Sequence, residues 1–511
     1  MVQLGIHTKI RNLDDLAEVA SLLKSEGRTI VQCHGVFDLL HPGHIRHFEA
    51  ARREGDLLFV TVTPDRYVAK GPGRPVFNEG LRAESLAALE CVDYVAINKW
   101  PTAIEAIKLL QPDIYCKGND YADATEDLSG KIVDEEEAVQ DIGGRIHFTD
   151  EIAFSSTKLL NLHFNVFPDE ARVFLQEFRQ KYSASDVIDS LQSLKDMKVL
   201  VIGDTIIDEY YYCKPLGKSP KEVLIPAQYI HQEAFAGGIL AIANHLAGFC
   251  NRVDLVTCLG MENPYTEFIT NNLKPNVKAK FFYRPNAPTI VKRRFVEVDI
   301  LRKLFEIYIM DGCTPPEVMT QEVCDYLDSR LGDYDLVLVG DYGHGFLGDK
   351  NINKLCEKSK FLAVNVQTNS ANIGFNLITK YPRADYICID EPEIRLATHD
   401  NASEVDALAI QVIKTLQSHR AVVTRGHQGS LVYQDGNGFI SVPAFSREVV
   451  DRVGAGDAYL ALTSPCVAAG LPNDMVGFIG NAVGALAIRI VGNRTSIEPV
   501  PLYKYIKTLL K

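Results

Sequence analysis

The chain has 511 residues, too long for one ordinary domain and enough for roughly two to four. Its 46% hydrophobic and 23% charged residues are those of a globular chain, and 66 acidic against 53 basic side chains give a formal charge of −13. That balance excludes a general nucleic-acid or anionic-membrane binder, which would gain nothing from counterion release, but leaves open a phosphate-handling enzyme whose few cations converge locally.

No apolar run approaches a membrane span, and the first residues (MVQLGIHTKIRNLDDL) lack a signal-peptide core, so a cytoplasmic protein is expected. Eleven cysteines, with no C-x-x-C pair, read as buried thiols of a reducing compartment.

In chain order, Asn12 is placed to cap a helix carrying Leu13, Leu16, Val19, Ala20 and Leu23, stopped at Gly27. Thr29–Cys33 reads as a strand ending in Gly35, Ile45–Arg53 as a helix, and Leu57–Val62 as a buried parallel strand. Tyr94–Ile97, Ala103–Leu110 and Ile114–Cys116 continue the strand–helix–strand alternation, which predicts a doubly wound parallel sheet. The acidic run Asp134–Glu137 reads as a solvated helix face. Between Phe164 and Lys195 the strands vanish into a charged, helix-prone connector; a second α/β series opens at Val199–Asp204 and continues through Leu336–Val339, Phe361–Val364 and Ala421–Thr424. The expected division is 1–165, a helical linker over 166–195, and 196–511.

The most informative window is C-H-G-V-F-D-L-L-H-P-G-H (33–44) between strand and helix. Gly35 permits a tight turn, and His41 and His44 bracket Pro42-Gly43 where helix N–H groups favour phosphate. Two imidazoles there suit the non-bridging oxygens of a nucleoside triphosphate. Zinc held by His34, His41, His44 and His47, or plain cap and surface histidines, are the competing readings.

The window resembles the H-x-G-H signature of the cytidylyltransferase-like superfamily, and further matches follow in order: Lys70-Gly71-x-Gly73-Arg74-Pro75, Arg82, Ala88-Leu89-Glu90-x-Val92-Asp93, Lys117-Gly118-Asn119-Asp120-Tyr121, and Phe154-Ser155-Ser156-Thr157-Lys158. Residues 8–162 are similar to the nucleotidyltransferase half of bifunctional heptose kinase/ADP-heptose synthases. This resemblance implies a Rossmann-like parallel sheet, catalysis by His41, His44, Lys70 and Lys158, and binding of ATP or CTP by Gly35, Phe37, Arg74, Lys117, Gly118, Asp120, Ser156 and Thr157.

Further on, Asp451-Arg452-Val453-Gly454-Ala455-Gly456-Asp457 precedes an apolar helix. Gly454, Ala455 and Gly456 are placed to aim N–H groups at a γ-phosphate, and Asp457 to take a proton from an attacking sugar hydroxyl. The segment is the D-x-x-G-A-G-D signature of the ribokinase/PfkB family, which residues 197–505 resemble. That resemblance implies an α/β sandwich with a small lid at Ser219-Pro220 and Pro226. It assigns sugar binding to Asp204, Asp208, Gly237 and Gly238, and ATP binding to Thr424, Gly426, Gly429 and Asn481, besides Gly454–Gly456. Asp341-Tyr342-Gly343-x-Gly345 matches its D-Y-x-x-G element; Mg²⁺ falls to Glu393 with Asp390, and dimerisation to the lid. Lys292-Arg293-Arg294 either supplies Lys292 and Arg294 to a substrate phosphate or solubilises an edge strand. Three positions depart from the family: Ala241 and Asp390 where it has Asn, and Pro465 inside the helix after Asp457.

The combined expectation is a bifunctional sugar kinase and nucleotidyltransferase, acting on a sugar or sugar phosphate and releasing pyrophosphate, with the two halves in reverse order relative to the enzymes it resembles. The alternatives are an active transferase with a non-catalytic sugar- or nucleotide-sensing kinase-like module, and an alcohol-phosphate cytidylyltransferase fused to an unrelated kinase.

Overall fold

Asn12 accepts the Asp15 N–H and starts the Leu13–Ser25 helix, whose Leu13, Leu16 and Ala20 are buried. It is the first long helix of a computed structural model that describes residues 6–68, 70–71, 73–118, 131–149, 167–312, 315–446 and 448–511. The chain divides into two compact units, one of residues 1–166 with Tyr503–Leu509 and Lys511, the other of Phe167–Leu502 and Leu510.

The first unit is built on six parallel strands: β1 (Ile10–Arg11), β2 (Ile30–Gly35), β3 (Leu57–Val62), β4 (Tyr94–Ile97), β5 (Ile114–Gly118) and β6 (Arg145–Thr149), in the order β1-β4-β3-β2-β5-β6. Both faces are covered, which is why β2 and β3 are continuous apolar runs. Val31, Cys33, Leu58 and Val60 pack with Phe48 and Ala51 on one face; Ile30, Phe59 and Ala96 pack with Leu13, Leu16 and Leu110 on the other. The order reverses direction between β2 and β5, and in open α/β sheets that switch point is where ligands sit, outside the carboxyl ends of the strands. The loop after β2 carries His41 there. The acidic run is only partly solvated: on the Lys131–Asp141 helix, Asp134, Glu136 and Glu137 are exposed but Glu135 is buried.

In the second unit, the Asp169–Lys181 and Ala184–Gln192 helices form the stretch expected as a linker. They pack onto this unit's body, with Phe178 stacked on Phe478 at 4.4 Å between ring centroids. The strands are β7 (Lys198–Pro215), β8 (Ala227–Gly238), β9 (Arg252–Glu262), β10 (Val277–Pro288), β11 (Val291–Glu297), β12 (Arg302–Ile309), β13 (Leu336–Asp341), β14 (Leu362–Val366), β15 (Tyr386–Asp390), β16 (Arg420–Thr424), β17 (Ser430–Gln434) and β18 (Gly438–Val442). The main sheet runs β10-β9-β7-β13-β14-β15-β16-β17-β18, parallel as far as β16 and antiparallel beyond it.

β7 joins two sheets. Lys198–Asp204 pairs with β9 in the main sheet; Thr205–Pro215 leaves it to pair with β8, and Ile207–Cys213 also pairs with β11. The resulting β8-β7-β11-β12 sheet is the lid. The edge-strand reading of Lys292–Arg294 is therefore wrong: β11 lies between β7 and β12, and Lys292 is buried. Pro465 sits inside the Ala455–Ala468 helix without ending it, and Ala241 is buried on the Ile239–Ala247 helix.

Candidate functional site

Two constellations emerge, one in each unit. In the first, His41 caps the Pro42–Arg53 helix, its Nδ1 accepting the Gly43 N–H at 3.1 Å. That bond fixes the neutral tautomer with the proton on Nε2, the form that donates to a phosphate oxygen. The His44 ring stacks on His41 at 3.9 Å, and Phe37 meets His44 edge-on at 5.5 Å. Phe37 adopts φ 47° and folds over Gly35, where an added Cβ would lie 2.9 Å from its ring; only glycine permits that approach. Burial lowers the pKa of His41, and burial with the fields of His41 and Lys70 takes His44 to about 3. Both rings are neutral near pH 7.

Asp38 organises the basic side. Its Oδ1 accepts the Val76 and Phe77 N–H groups at 2.7 and 3.1 Å, and its Oδ2 lies 3.8 Å from the Arg74 guanidinium, both side chains buried. Burial lowers the Lys70 ammonium to about 8, Asp38 opposing and Arg74 reinforcing the shift. Arg82 is a buried rivet: it donates to the carbonyls of Val36, Phe77 (3.0 Å) and Thr63 (2.8 Å), tying the ends of β2 and β3 together. Lys117, expected at the nucleotide, forms a buried ion pair with Glu135 at 2.7 Å at the end of β5, beside Gly118.

The four histidines do not converge on a metal. His34 is held by Thr61 (2.9 Å) and Thr63 (3.2 Å), and His47 by Thr149 (2.7 Å). No cluster of three or more potential ligands occurs among the described residues. Asp120, Ser156, Thr157 and Lys158 lie outside the described residues.

In the second unit Asp457 stands in the first turn of the Ala455–Ala468 helix, beside Gly454, Ala455 and Gly456. Gly454 has φ 80°, and an added Cβ would lie 2.1 Å from Asn493 Oδ1. Asp457 Oδ1 accepts from Tyr342 Oη at 2.9 Å and from Gln367 Nε2 at 2.6 Å. Burial pushes its carboxyl up to about 6; the two hydrogen bonds and Lys292 pull down, Asp208 pushes up. A base of that pKa is matched to proton transfer near neutrality.

Asp208 accepts from Arg294 and, at 3.4 Å, from Asn493 Nδ2. A Cβ on Gly237 would lie 2.0 Å from Asp208 Oδ2, so the first glycine of the pair makes room for this carboxylate; Gly238 takes φ 56° at the helix entrance. Lys292 and Arg294 project to the Asp208 side of β11, while Arg293 pairs with Glu209 at 2.7 Å on the other. Asp204 accepts the N–H groups of Tyr342, His344 and Phe346, shaping the loop that carries Tyr342, and burial and Asp341 raise it to about 6.

The Thr424–Gly429 turn has φ 56° at Gly426 and 86° at Gly429, where a Cβ would lie 2.0 Å from Val442 O. Asn481 is committed behind it, donating to Ser430 Oγ (2.7 Å) and Gly477 O (2.9 Å). Asp390 and Glu393 form a capping box at the start of the Glu391–Thr398 helix. Glu393 also accepts the Thr368 N–H at 2.9 Å, and burial and Asp390 push it up to about 8. The sequence reading missed Gln367 and Asn493. The signal for Gln367 was its place just past the carboxyl end of a buried parallel strand, where ligand-facing side chains gather.

Comparison with known proteins agrees with the two-domain α/β architecture. A cytidylyltransferase-like family model matches residues 33–190, and the pfkB family carbohydrate kinase model matches residues 196–500, more than half of the chain. The N-terminal region is similar to the bifunctional protein HldE of Syntrophotalea carbinolica, 40% identical over 152 residues, and to that of Geotalea uraniireducens, 41% identical over 151. Each alignment spans 29% of this chain, and 30% and 29% of those relatives' lengths respectively. Phosphofructokinase-2 from Escherichia coli in complex with potassium superposes with a TM-score of 0.50 at 15% identity, over 61% of this chain and 99% of that one, which shows a shared fold. The chain belongs to the pfkB family of carbohydrate kinases, preceded by a cytidylyltransferase-like unit.

Proposed function

We propose that the protein is a bifunctional enzyme that phosphorylates a sugar or sugar phosphate and couples a sugar 1-phosphate to a nucleotide. The observation that carries the reading is the buried Asp457 carboxylate, held by Tyr342 and Gln367 at the mouth of the Gly454–Gly456 helix start. Asp457 takes the proton of the attacking hydroxyl, and the glycine-rich N–H groups hold the transferred phosphoryl. Asp208 and Asn493 orient sugar hydroxyls, and the Lys292 ammonium offsets the developing negative charge. Thr424, Gly426 and Gly429 bound the nucleotide, with Asn481 bracing their loop from behind.

In the first unit a sugar-phosphate oxygen attacks the α-phosphorus of ATP or CTP and pyrophosphate leaves. His41 and His44, neutral and stacked, donate to phosphate oxygens as charge builds there, with Lys70 and Arg74 as the cationic wall. Lys158, Ser156, Thr157 and Asp120 complete that proposal on sequence resemblance alone.

Magnesium fits the second unit. Glu393 and Asp390 are two carboxyls in one capping box; burial first and Asp390 second raise Glu393, and a divalent cation would relieve the repulsion between the two. Bound with ATP, the ion would neutralise phosphate charge; Glu393 and Asp390 would hold its water.

The ten described cysteines are free thiols and no helix of the described residues is long and apolar enough to cross a membrane, which supports a cytoplasmic setting. One ring from each lid strand forms a continuous row, Tyr229, Tyr211, Phe295 and Phe305, with Tyr229 and Phe305 more than half exposed. This row supports a homodimer formed through the lid. Mass spectrometry of products from a panel of sugars and sugar phosphates with ATP or CTP tests the whole reading: a phosphorylated sugar and a nucleotide sugar are expected.

A further inference from the structure

Asp451 opens the D-R-V-G-A-G-D segment and is buried, with four donors on its carboxylate. Oδ2 accepts from Tyr210 Oη at 2.7 Å and Gly492 N at 2.9 Å. Oδ1 accepts from the Val453 N–H at 3.1 Å and from Lys303 Nζ at 2.5 Å. Three of the four donors are neutral. The fourth is a cation carried by the lid: Lys303 sits on β12, opposite Val296 of β11, and its ammonium also lies 5.7 Å from the centre of the Tyr210 ring.

Two features make this contact more than a surface ion pair. Burial alone would raise the Asp451 carboxyl, yet Lys303, Gly492, Val453 and Tyr210 together hold it below the ordinary carboxylate range. The oxygen that Lys303 touches is also the one that receives the Val453 N–H, immediately before Gly454 turns to φ 80° to begin the anion-binding helix. The charge on the lid and the geometry of the phosphate loop meet on a single atom. Without Lys303 the carboxylate would be buried with neutral donors only, a costly state relieved by protonation or by moving the loop.

We propose that Lys303 is a positioning residue for phosphoryl transfer: a lid-borne ammonium that completes the Asp451 site and thereby holds the Val453–Gly454 turn in its phosphate-binding form. Closing the lid then does two things at once, covering the sugar through Lys292 and Arg294 and setting the anion hole through Lys303. The inference rests on the kinase reading above.

The test uses the full chain and its sugar-dependent ATP consumption, comparing wild type with Lys303→Met, which keeps the alkyl stem, and Lys303→Arg, which keeps the charge. Lys303→Met is expected to lose about tenfold to a hundredfold in kcat/KM, the scale of a misplaced catalytic loop, with Lys303→Arg retaining most of the activity. Added ammonium or methylammonium chloride is expected to restore Lys303→Met by occupying the vacated carboxylate, and to leave wild type unchanged. Equal turnover by Lys303→Met and wild type overturns the inference. So does a loss that neither ammonium ions nor arginine repairs, because that is the signature of damaged packing. No sugar-dependent consumption by wild type overturns the kinase reading, and this inference with it.

Discussion

The Gln367 amide donates to Asp457 Oδ1 at 2.6 Å, on the same oxygen that accepts the Tyr342 hydroxyl. Both donors favour the ionised carboxylate against the burial that raises it to about 6. A base must be ionised to work, so kcat/KM of the kinase reaction is expected to fall as the pH drops through about 6. Gln367→Ala removes one stabilising donor, which raises the carboxyl further and moves the acid limb to higher pH. At neutral pH the loss is about fivefold, the equivalent of one hydrogen bond. A pH–rate profile checks both; an unmoved limb would show that Gln367 does not act through Asp457.

The same carboxyl makes a prediction about stability. Its folded pKa of about 6 lies above the ordinary 3.8, so the native state binds the proton more tightly than the unfolded chain. Stability from this group is therefore present at low pH and lost as the pH rises through about 6. Asp457→Asn is expected to abolish sugar phosphorylation while stabilising the second unit at pH 7 by about 3 kcal/mol at most. Chemical denaturation of the variant across pH 4 to 8, taken as a rough window around that pKa, measures it.

The opposite sign is expected at Lys117 and Glu135. The pair is buried at 2.7 Å, and Tyr115 Oη also donates to Glu135 at 3.3 Å. Breaking such a pair from one side leaves a buried charge, so Glu135→Ala costs about 3 kcal/mol of stability in the first unit. Thermal unfolding with a domain-resolved probe checks this.

These residues also show what a sequence can and cannot reveal. The apolar runs of β2 and β3 and the Asn12 cap were legible because each is fixed by local chemistry: burial on both faces, or a side chain reaching three residues on. H-P-G-H and G-A-G-D were legible because phosphate binding demands residue types at fixed short spacing. The β6 strand, Arg145–Thr149, was not, since on this edge strand polar Arg145, His147 and Thr149 alternate with Ile146 and Phe148, which are only half-buried, so no continuous apolar run marks it. Nor was the interior placement of Lys292 and Arg294: three adjacent cations fit a substrate-phosphate site or an edge strand equally well until the lid pairs their strand on both sides and places carboxylates opposite. Gln367 and Lys303 gain meaning only from partners 90 and 148 residues away. Asp204 was assigned to the sugar by resemblance, and only the fold reveals that its oxygens also accept three main-chain N–H groups.

The two chemistries are predicted to be separable. His44→Ala is expected to abolish pyrophosphate release, since the stacked pair loses one donor, while sugar-dependent ATP consumption continues. An oxyanion-type donor is typically worth about a hundredfold or more in rate, so the loss is readily measured. Parallel loss of both activities in a folded variant would contradict two independent sites.

The lid row gives a fifth prediction. Phe305 stacks on Phe295 at 4.5 Å between centroids with its outer face exposed. Phe305→Lys is expected to convert a dimer to a monomer by light scattering, since a cation placed in an apolar interface costs more than the contact returns. An unchanged mass would show that the row does not join two copies.

The most direct measurement follows the sugar through both sites. The full chain is incubated with ATP and Mg²⁺, with or without CTP, across a panel of sugars and sugar phosphates, and products are identified by mass, with Asp457→Ala alongside. One substrate is expected to gain a phosphate in wild type and not in Asp457→Ala, and a sugar 1-phosphate to be converted to a nucleotide sugar with release of pyrophosphate. Nucleotide-sugar formation with no sugar-dependent ATP consumption at any substrate would contradict the bifunctional reading, and would make the second unit a sensor.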